Sequence, residues 1–184
     1  MSRLLALIAC LLVAAPAAAT EAGWALLREG GQVVLLRHAQ VTGTHDSANV
    51  DPEDCTTQRN LSERGRQQAR KIGSLFATRA APIDRILSSR YCRAADTGRI
   101  AFRDNEIEKT EALDPPPADE AGAAARKEAM MEIIRGFSGS GNLVLITHLE
   151  NIAALTGAAA REGEAVIVAP RGEGLHVMAR IIFN

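Results

Sequence analysis

Two apolar runs more than a hundred residues apart organise this chain, Val33-Val34-Leu35-Leu36 and Leu143-Val144-Leu145-Ile146. Each stops at a polar residue followed by histidine: Arg37-His38 in the first case, Thr147-His148 in the second. Short runs rich in Val, Leu and Ile with polar residues on both sides predict strands buried on both faces of a parallel sheet. Between them, Gln40 to Asn60 is polar and carries Gly43, Asp46, Asn49, Asp51 and Pro52, which predicts a long loop with a functional use. Ser62 is placed to cap a helix whose apolar face is Ala69, Ile72, Gly73 and Phe76 and which ends before Pro82.

The pattern then alternates. Ile83 to Leu87 predicts a strand leading into Ser88-Ser89-Arg90, followed by a helix from about Cys92 to Phe102. A short strand is expected near Ile107 to Ala112, after which Asp114-Pro115-Pro116-Pro117 breaks regular structure, because proline fixes φ and removes a donor. A helix is expected over Ala121 to Arg135, closed by Gly136 and the Ser138 to Gly141 turn, then the strand Leu143 to Thr147 and a helix from about Asn151 to Ala158. Ala165 to Ala169 and Leu175 to Ile182 predict a terminal antiparallel hairpin about Arg171-Gly172-Glu173-Gly174. Alternating strands and helices imply an α/β fold, a three-layer α/β/α sandwich with a mostly parallel central sheet. Ligands of such sheets bind at the carboxyl ends of strands, where Arg37-His38 and Thr147-His148 would surround one anionic group.

Residues 1–19 change the picture of the amino terminus. Arg3, the apolar run from Leu4 to Ala15 and Ala17-Ala18-Ala19 predict a secretory signal peptide, too short for a membrane span, with residues 20–184 as one exported domain, periplasmic or secreted. Loss of Arg3 from the 21 basic and 22 acidic side chains leaves a mature charge near −2. Such a balance gives no global attraction to nucleic acid and no stable membrane insertion of the mature chain, so anion recognition must be local. Cys10 would leave with the leader, and in an oxidising compartment the remaining Cys55 and Cys92 permit one disulfide, two unpaired thiols being the alternative. Two isolated cysteines show no metal-ligand spacing.

Leu36-Arg37-His38-Ala39, Leu61-Ser62-x-x-Gly65, Ser88-Ser89-x-x-Cys92-Arg93-Ala94 and Ile146-Thr147-His148 occur in the order and spacing of the histidine phosphatase superfamily, and the chain resembles its small exported members, which share the phosphoglycerate mutase-like fold. The resemblance implies a phosphomonoester hydrolase in which His38 attacks phosphorus and carries the phosphoryl group before water releases it. An imidazole suits that role because it is nucleophilic when neutral and leaves well once phosphorylated. Its other ring nitrogen is expected to donate to a backbone carbonyl. By the same resemblance Arg37 and Arg93 clamp the phosphate and His148 stabilises the transferring group.

The general acid is less well marked; Glu111, Asp114 and Glu150 are the candidates. Arg59, Arg90 and Thr147 are expected to add substrate contacts, with Gln58 and Asn60 at the pocket mouth and His45 within reach from the loop, whereas His176 reads as structural. The resemblance requires no metal and no organic cofactor. It implies as partner a small phosphorylated molecule, such as a sugar phosphate of the cell envelope. A phosphate-binding protein without turnover and, less well placed, a phosphomutase are the competing readings.

Overall fold

The computed structural model describes residues 15–172 and 174–183. In chain order its main elements are α1 (Ala15–Glu29), β1 (Val33–Arg37), α2 (Glu63–Thr78), β2 (Ile83–Ser88), α3 (Cys92–Ala101), β3 (Glu108–Lys109), α4 (Glu120–Arg135), β4 (Asn142–Thr147), α5 (Leu149–Thr156), β5 (Ala165–Arg171) and β6 (Gly174–Ile181). The six strands form one sheet in the order β3-β2-β4-β1-β5-β6. The two diagnostic runs are its centre: β1 and β4 pair in parallel, with Val33 opposite Leu143 and Arg37 opposite Thr147. β2 and β3 extend the parallel half, while β5 runs antiparallel to both β1 and β6 and so forms the expected terminal hairpin.

Because strand side chains alternate between faces, each central strand feeds two cores. Val34, Leu36, Val144 and Ile146 pack with Ile72 and Phe76 of α2, Ala94 of α3 and Trp24 and Leu27 of α1. Val33, Leu35, Leu143 and Leu145 pack on the other face against Met130, Met131 and Ile134 of α4 and Ile152 and Leu155 of α5. Three helices on one face and two on the other make the three-layer sandwich that the alternating pattern predicts.

Helix α1 has no counterpart in the sequence reading, which assigned residues 1–19 to a leader and nothing to the segment after it. Residues 1–14, including Cys10 and most of that expected leader, lie outside the described residues. Trp24 is nonetheless a core residue, its ring 5.5 Å from that of Phe76 and 6.0 Å from that of Phe183 in edge-on contact. The other corrections are local. The strand expected over Ile107 to Ala112 is only two residues long, because the chain turns at Thr110, whose hydroxyl caps a short 3-10 turn over Glu111–Leu113 that buries Leu113. Helix α5 starts at Leu149, directly after His148 and ahead of the expected Asn151, while α2 ends at Thr78, before Pro82 as expected.

Ser62 ties the start of α2 to the segment after β1. Ser62 accepts from the Gly65 amide as the N-cap of α2, and its own amide donates to the Gln40 carbonyl at 2.9 Å. A Cβ at residue 65 would collide with that Gln40 carbonyl, so the motif requires glycine there. The loop's far end is closed by a Cys55–Cys92 disulfide with a Cα–Cα distance of 5.6 Å.

Candidate active site

Both histidines stand immediately beyond the carboxyl ends of the central strands. The His38 amide donates to the Thr147 carbonyl at 3.1 Å, and the His38 carbonyl accepts from the Gly163 amide at 2.9 Å, so the backbone around His38 is fixed from two directions. The rings of His38 and His148 have centroids 5.4 Å apart and are 3% and 1% exposed.

Their hydrogen bonds fix the ring protons. Nδ1 of His38 lies 2.9 Å from the Ala39 carbonyl oxygen. A carbonyl only accepts, so Nδ1 carries the proton and Nε2 is left with a free lone pair and no partner among the described residues. Burial pulls the pKa of His38 down to about 3, with the charges of Arg93, Arg37 and Arg59 acting in the same direction against the Ala39 hydrogen bond. The ring is therefore neutral at any ordinary pH. His148 is held in the neutral form by the same cause, burial first, then the neighbouring His38 and the three arginines.

A buried relay orients His148. Its Nε2 lies 2.9 Å from the Ser89 hydroxyl oxygen, which lies 2.8 Å from Oδ1 of Asp114 and 3.2 Å from the Tyr91 amide nitrogen. The Asp114 carboxylate accepts from the Arg90 amide at 2.8 Å and from the Arg90 guanidinium at 2.7 Å. Ser89 thus gives its proton to Asp114 and receives from the Tyr91 amide and from Nε2–H of His148, which sets the tautomer of that ring.

Three guanidiniums surround the pair. Arg37 donates from Nη1 to the Ala160 carbonyl at 2.8 Å, with Glu162 at 3.7 Å from Nη2. Arg93, 4% exposed, donates from Nη1 to Oδ1 of Asp46 at 3.0 Å and lies with its Cζ 4.8 Å from the Tyr91 ring centroid. Asp46 Oδ1 also accepts from the Arg59 amide at 2.8 Å. The Nε atoms of Arg37, Arg59 and Arg93 are all buried without a hydrogen-bond partner. A buried N–H donor without a hydrogen-bond partner is expensive, and the three guanidiniums that carry these donors, all acting electrostatically on both imidazoles, offer them to an anion with several oxygens.

The remaining candidates are placed differently from expectation. Asp114 reaches the cluster, but as the anchor of Ser89 and Arg90 with both oxygens engaged, not as a free acid. Arg90, expected as a substrate contact, is held by Asp114 and stands 3.7 Å from Glu111. Thr147 is fully buried and its hydroxyl donates to the Leu113 carbonyl at 2.8 Å, which removes it as a substrate donor. Glu150 points to solvent on the first turn of α5 and joins no contact of the site. Gln58 serves architecture, accepting from the Cys92 amide at 2.9 Å and donating to the Asp51 carbonyl, while Asn60 holds the Cys55 carbonyl. His45 is exposed in the loop and His176 lies on β6.

Three participants escaped the sequence reading. Ser89 stands second in the motif Ser88-Ser89-x-x-Cys92-Arg93-Ala94, where its hydroxyl was given no role. Tyr91, with its ring 5.3 Å from that of His148 and its phenol pKa raised by burial, lies inside the motif that ends in Arg93. Asp46 was one polar residue among many in a loop. Among the described residues no group of three or more His, Cys, Asp or Glu side chains is placed to hold a metal ion. A cavity of about 430 Å³ beside α2, lined by Gln40, Arg64, Gln68 and Lys71 among others, contains neither histidine.

Residues 33–115 match the family model of the histidine phosphatase superfamily, branch 1. Among solved structures, the alpha-ribazole phosphatase from Shigella flexneri is similar with 14% identity and a TM-score of 0.63, the alignment covering 80% of this chain and 95% of that one. The protein histidine phosphatase SixA complexed with tungstate is similar with 17% identity and a TM-score of 0.57, covering 82% of this chain and 96% of that one. A mycobacterial glucosyl-3-phosphoglycerate phosphatase in complex with VO3 gives 17% identity and a TM-score of 0.60, covering 80% and 97%. No curated protein matches the chain.

Proposed function

We propose that this chain, whose residues 33–115 match the histidine phosphatase superfamily model, hydrolyses a phosphomonoester through a phosphohistidine on His38. The observation that carries this reading is an unprotonated His38 Nε2 within the electrostatic reach of three arginines whose Nε atoms are buried without a hydrogen-bond partner. Nε2 attacks phosphorus while Arg37, Arg93 and Arg59 hold the nonbridging oxygens, each charge-assisted hydrogen bond being worth roughly 1.5–3 kcal/mol. Their charge is fixed in place before reaction, which is what lowers the barrier as negative charge redistributes over those oxygens. His148, oriented by Ser89, lies against the same phosphoryl group. Water then attacks the phosphohistidine and returns the lone pair to Nε2.

Two structural relatives were solved with tungstate and VO3, oxyanions of phosphate-like character, which supports an oxyanion site in this fold. The substrate we propose is a small phosphorylated molecule, a sugar phosphate of the cell envelope being the first to test. The leader read in residues 1–19 and the Cys55–Cys92 disulfide support an exported enzyme.

Purified protein incubated with p-nitrophenyl phosphate should release nitrophenol, and His38→Ala should abolish turnover; equal rates for the two proteins would refute the phosphohistidine reading. Saturable binding of a phosphate ester with no release of phosphate would instead establish the non-catalytic alternative. Sequencing the amino terminus of the exported protein tests cleavage near Ala19.

A further inference from the structure

The proposed reaction needs a proton donor for its leaving group, and none of the carboxylates expected from the sequence is available: Asp114 is engaged at both oxygens, while Glu111 and Glu150 are exposed, the former beside Arg126. We infer that Asp46 is the general acid and base of this site. The inference rests on the phosphatase reading and deepens it by assigning the step that reading leaves open.

In-line displacement at phosphorus sets the attacking and departing atoms on opposite sides. His38 is the buried floor of the site, so a leaving oxygen opposite its Nε2 is directed outward, toward the loop of residues 40–60. Asp46 is the carboxylate of that loop that touches the cluster. Its side chain is 24% exposed, its Oδ1 accepts from Arg93 at 3.0 Å and from the Arg59 amide at 2.8 Å, and the Arg59 guanidinium stands 3.8 Å away. Both arginines also act electrostatically on both histidines. Asp46 therefore contacts two residues of the anion site from its solvent side, where an ester oxygen would depart.

Glu162 is the other carboxylate near a clamp arginine. It stands 3.7 Å from Arg37, on the segment whose Gly163 amide holds the His38 carbonyl, beside the floor and not at the mouth.

The proton balance closes within the site. A substrate entering as the monoanion brings one proton, which Asp46 takes as phosphate oxygens replace its carboxylate on the arginine donors. As Nε2 of His38 forms the N–P bond, the ester P–O bond breaks, and the departing oxygen keeps the electron pair and receives the proton from Asp46. In the second step the Asp46 carboxylate takes a proton from water as the water oxygen bonds to phosphorus. The P–N bond breaks with its pair returning to Nε2, Asp46 hands the proton to the phosphate, which leaves as the monoanion, and the carboxylate is restored for the next substrate.

General acid assistance matters in proportion to the basicity of the leaving oxygen, which supplies the test. Wild type, Asp46→Asn, Asp114→Asn and Glu162→Gln are assayed on phenyl phosphate, whose oxygen departs as a strong base, and on dinitrophenyl phosphate, whose oxygen needs no proton. Asn keeps an oxygen for the Arg93 and Arg59 donors and removes only the exchangeable proton. We expect Asp46→Asn to lower kcat/KM on phenyl phosphate by about 100-fold or more and on dinitrophenyl phosphate by less than about fivefold. Retained dinitrophenyl phosphate turnover also shows that the variant is folded and forms the phosphohistidine.

Equal loss on both esters, or no loss on either, overturns the assignment while leaving the phosphatase reading intact. A selective loss in Glu162→Gln or Asp114→Asn in its place also overturns it. Wild type inert on both esters overturns the phosphatase reading itself, and this inference with it.

Discussion

Nε2 of His148 and the hydroxyl oxygen of Ser89 lie 2.9 Å apart, and this one contact connects a residue at the end of β4 to a buried carboxylate at Asp114. The chain has placed a serine where it can hold an imidazole in one tautomer without adding a charge next to it.

Ser89→Ala removes the acceptor of His148 Nε2–H and leaves Asp114 one donor short. An unpaired buried group of this kind costs about 1–3 kcal/mol, so kcat/KM on an aryl phosphate should fall about 10- to 100-fold. Ser89→Thr keeps the hydroxyl and should recover much of the loss. Steady-state kinetics of the two variants side by side decide between orientation of the ring and simple packing.

Arg59 was a substrate contact in the sequence reading; its Nε is buried without a hydrogen-bond partner, 3.8 Å from Asp46, and in the proposed reaction it is a third clamp. Arg59→Ala should raise the inhibition constant for tungstate about 10-fold or more, the equivalent of one charge-assisted hydrogen bond. Arg99→Ala, on the exposed side of α3 beside Asp96, is the control and should leave inhibition unaltered. Similar values for both variants would show that Arg59 does not touch the anion.

Acid should destabilise the protein through the same rings that serve the site. His38 has a folded pKa of about 3 against an ordinary 6.5. Its stabilising share is complete above pH 6.5, where both states hold the neutral ring, and is lost as pH falls toward 3, since only the unfolded chain takes up the proton. One such ring costs about 2 kcal/mol between pH 7 and pH 5. Urea unfolding at those two pH values should show a drop that is smaller by about that amount in His38→Gln.

The Cys55–Cys92 bond closes a loop of 37 residues around the mouth. Chain-entropy arguments give about 4 kcal/mol of stabilisation for a closure of that length. Reduction, or the Cys55→Ser/Cys92→Ser double variant, should lower the unfolding midpoint. Because Cys92 directly precedes Arg93 and the loop carries Asp46 and Arg59, KM for a phosphate ester should also rise; an unchanged KM would show that the loop holds its shape without the bond.

The central sheet was legible because burial on both faces leaves a continuous apolar run, and such runs ending in histidine announced both their depth in the fold and the edge they deliver to. The hairpin of β5 and β6 was legible from its glycine-bearing turn. Helix α1 was not, since it anchors on little more than Trp24 and Leu27 and overlaps and follows a segment read as a leader. At the site, the motifs predicted that Arg37, His38, Arg93 and His148 come together, and they do, whereas Thr147 and Asp114, named as contact and acid, share a buried scaffold through Leu113 and Asn151, with Arg90 held by Asp114 at its edge. Hydrogen-bond partnership between side chains far apart in sequence leaves no periodic trace. The partnerships of Asp46 and Ser89 were invisible for the same reason.

The floor and the rim of this site are made of different material. The floor hangs on two strands buried almost end to end and paired residue for residue, while the rim is an irregular segment fastened by one covalent link and a handful of side-chain bonds. Inherited change can therefore rewrite the rim, and with it the choice of molecule admitted, without disturbing the atoms that break the bond. Diversification across descendants of this chain should accumulate between Gln40 and Asn60 long before it reaches β1 or β4.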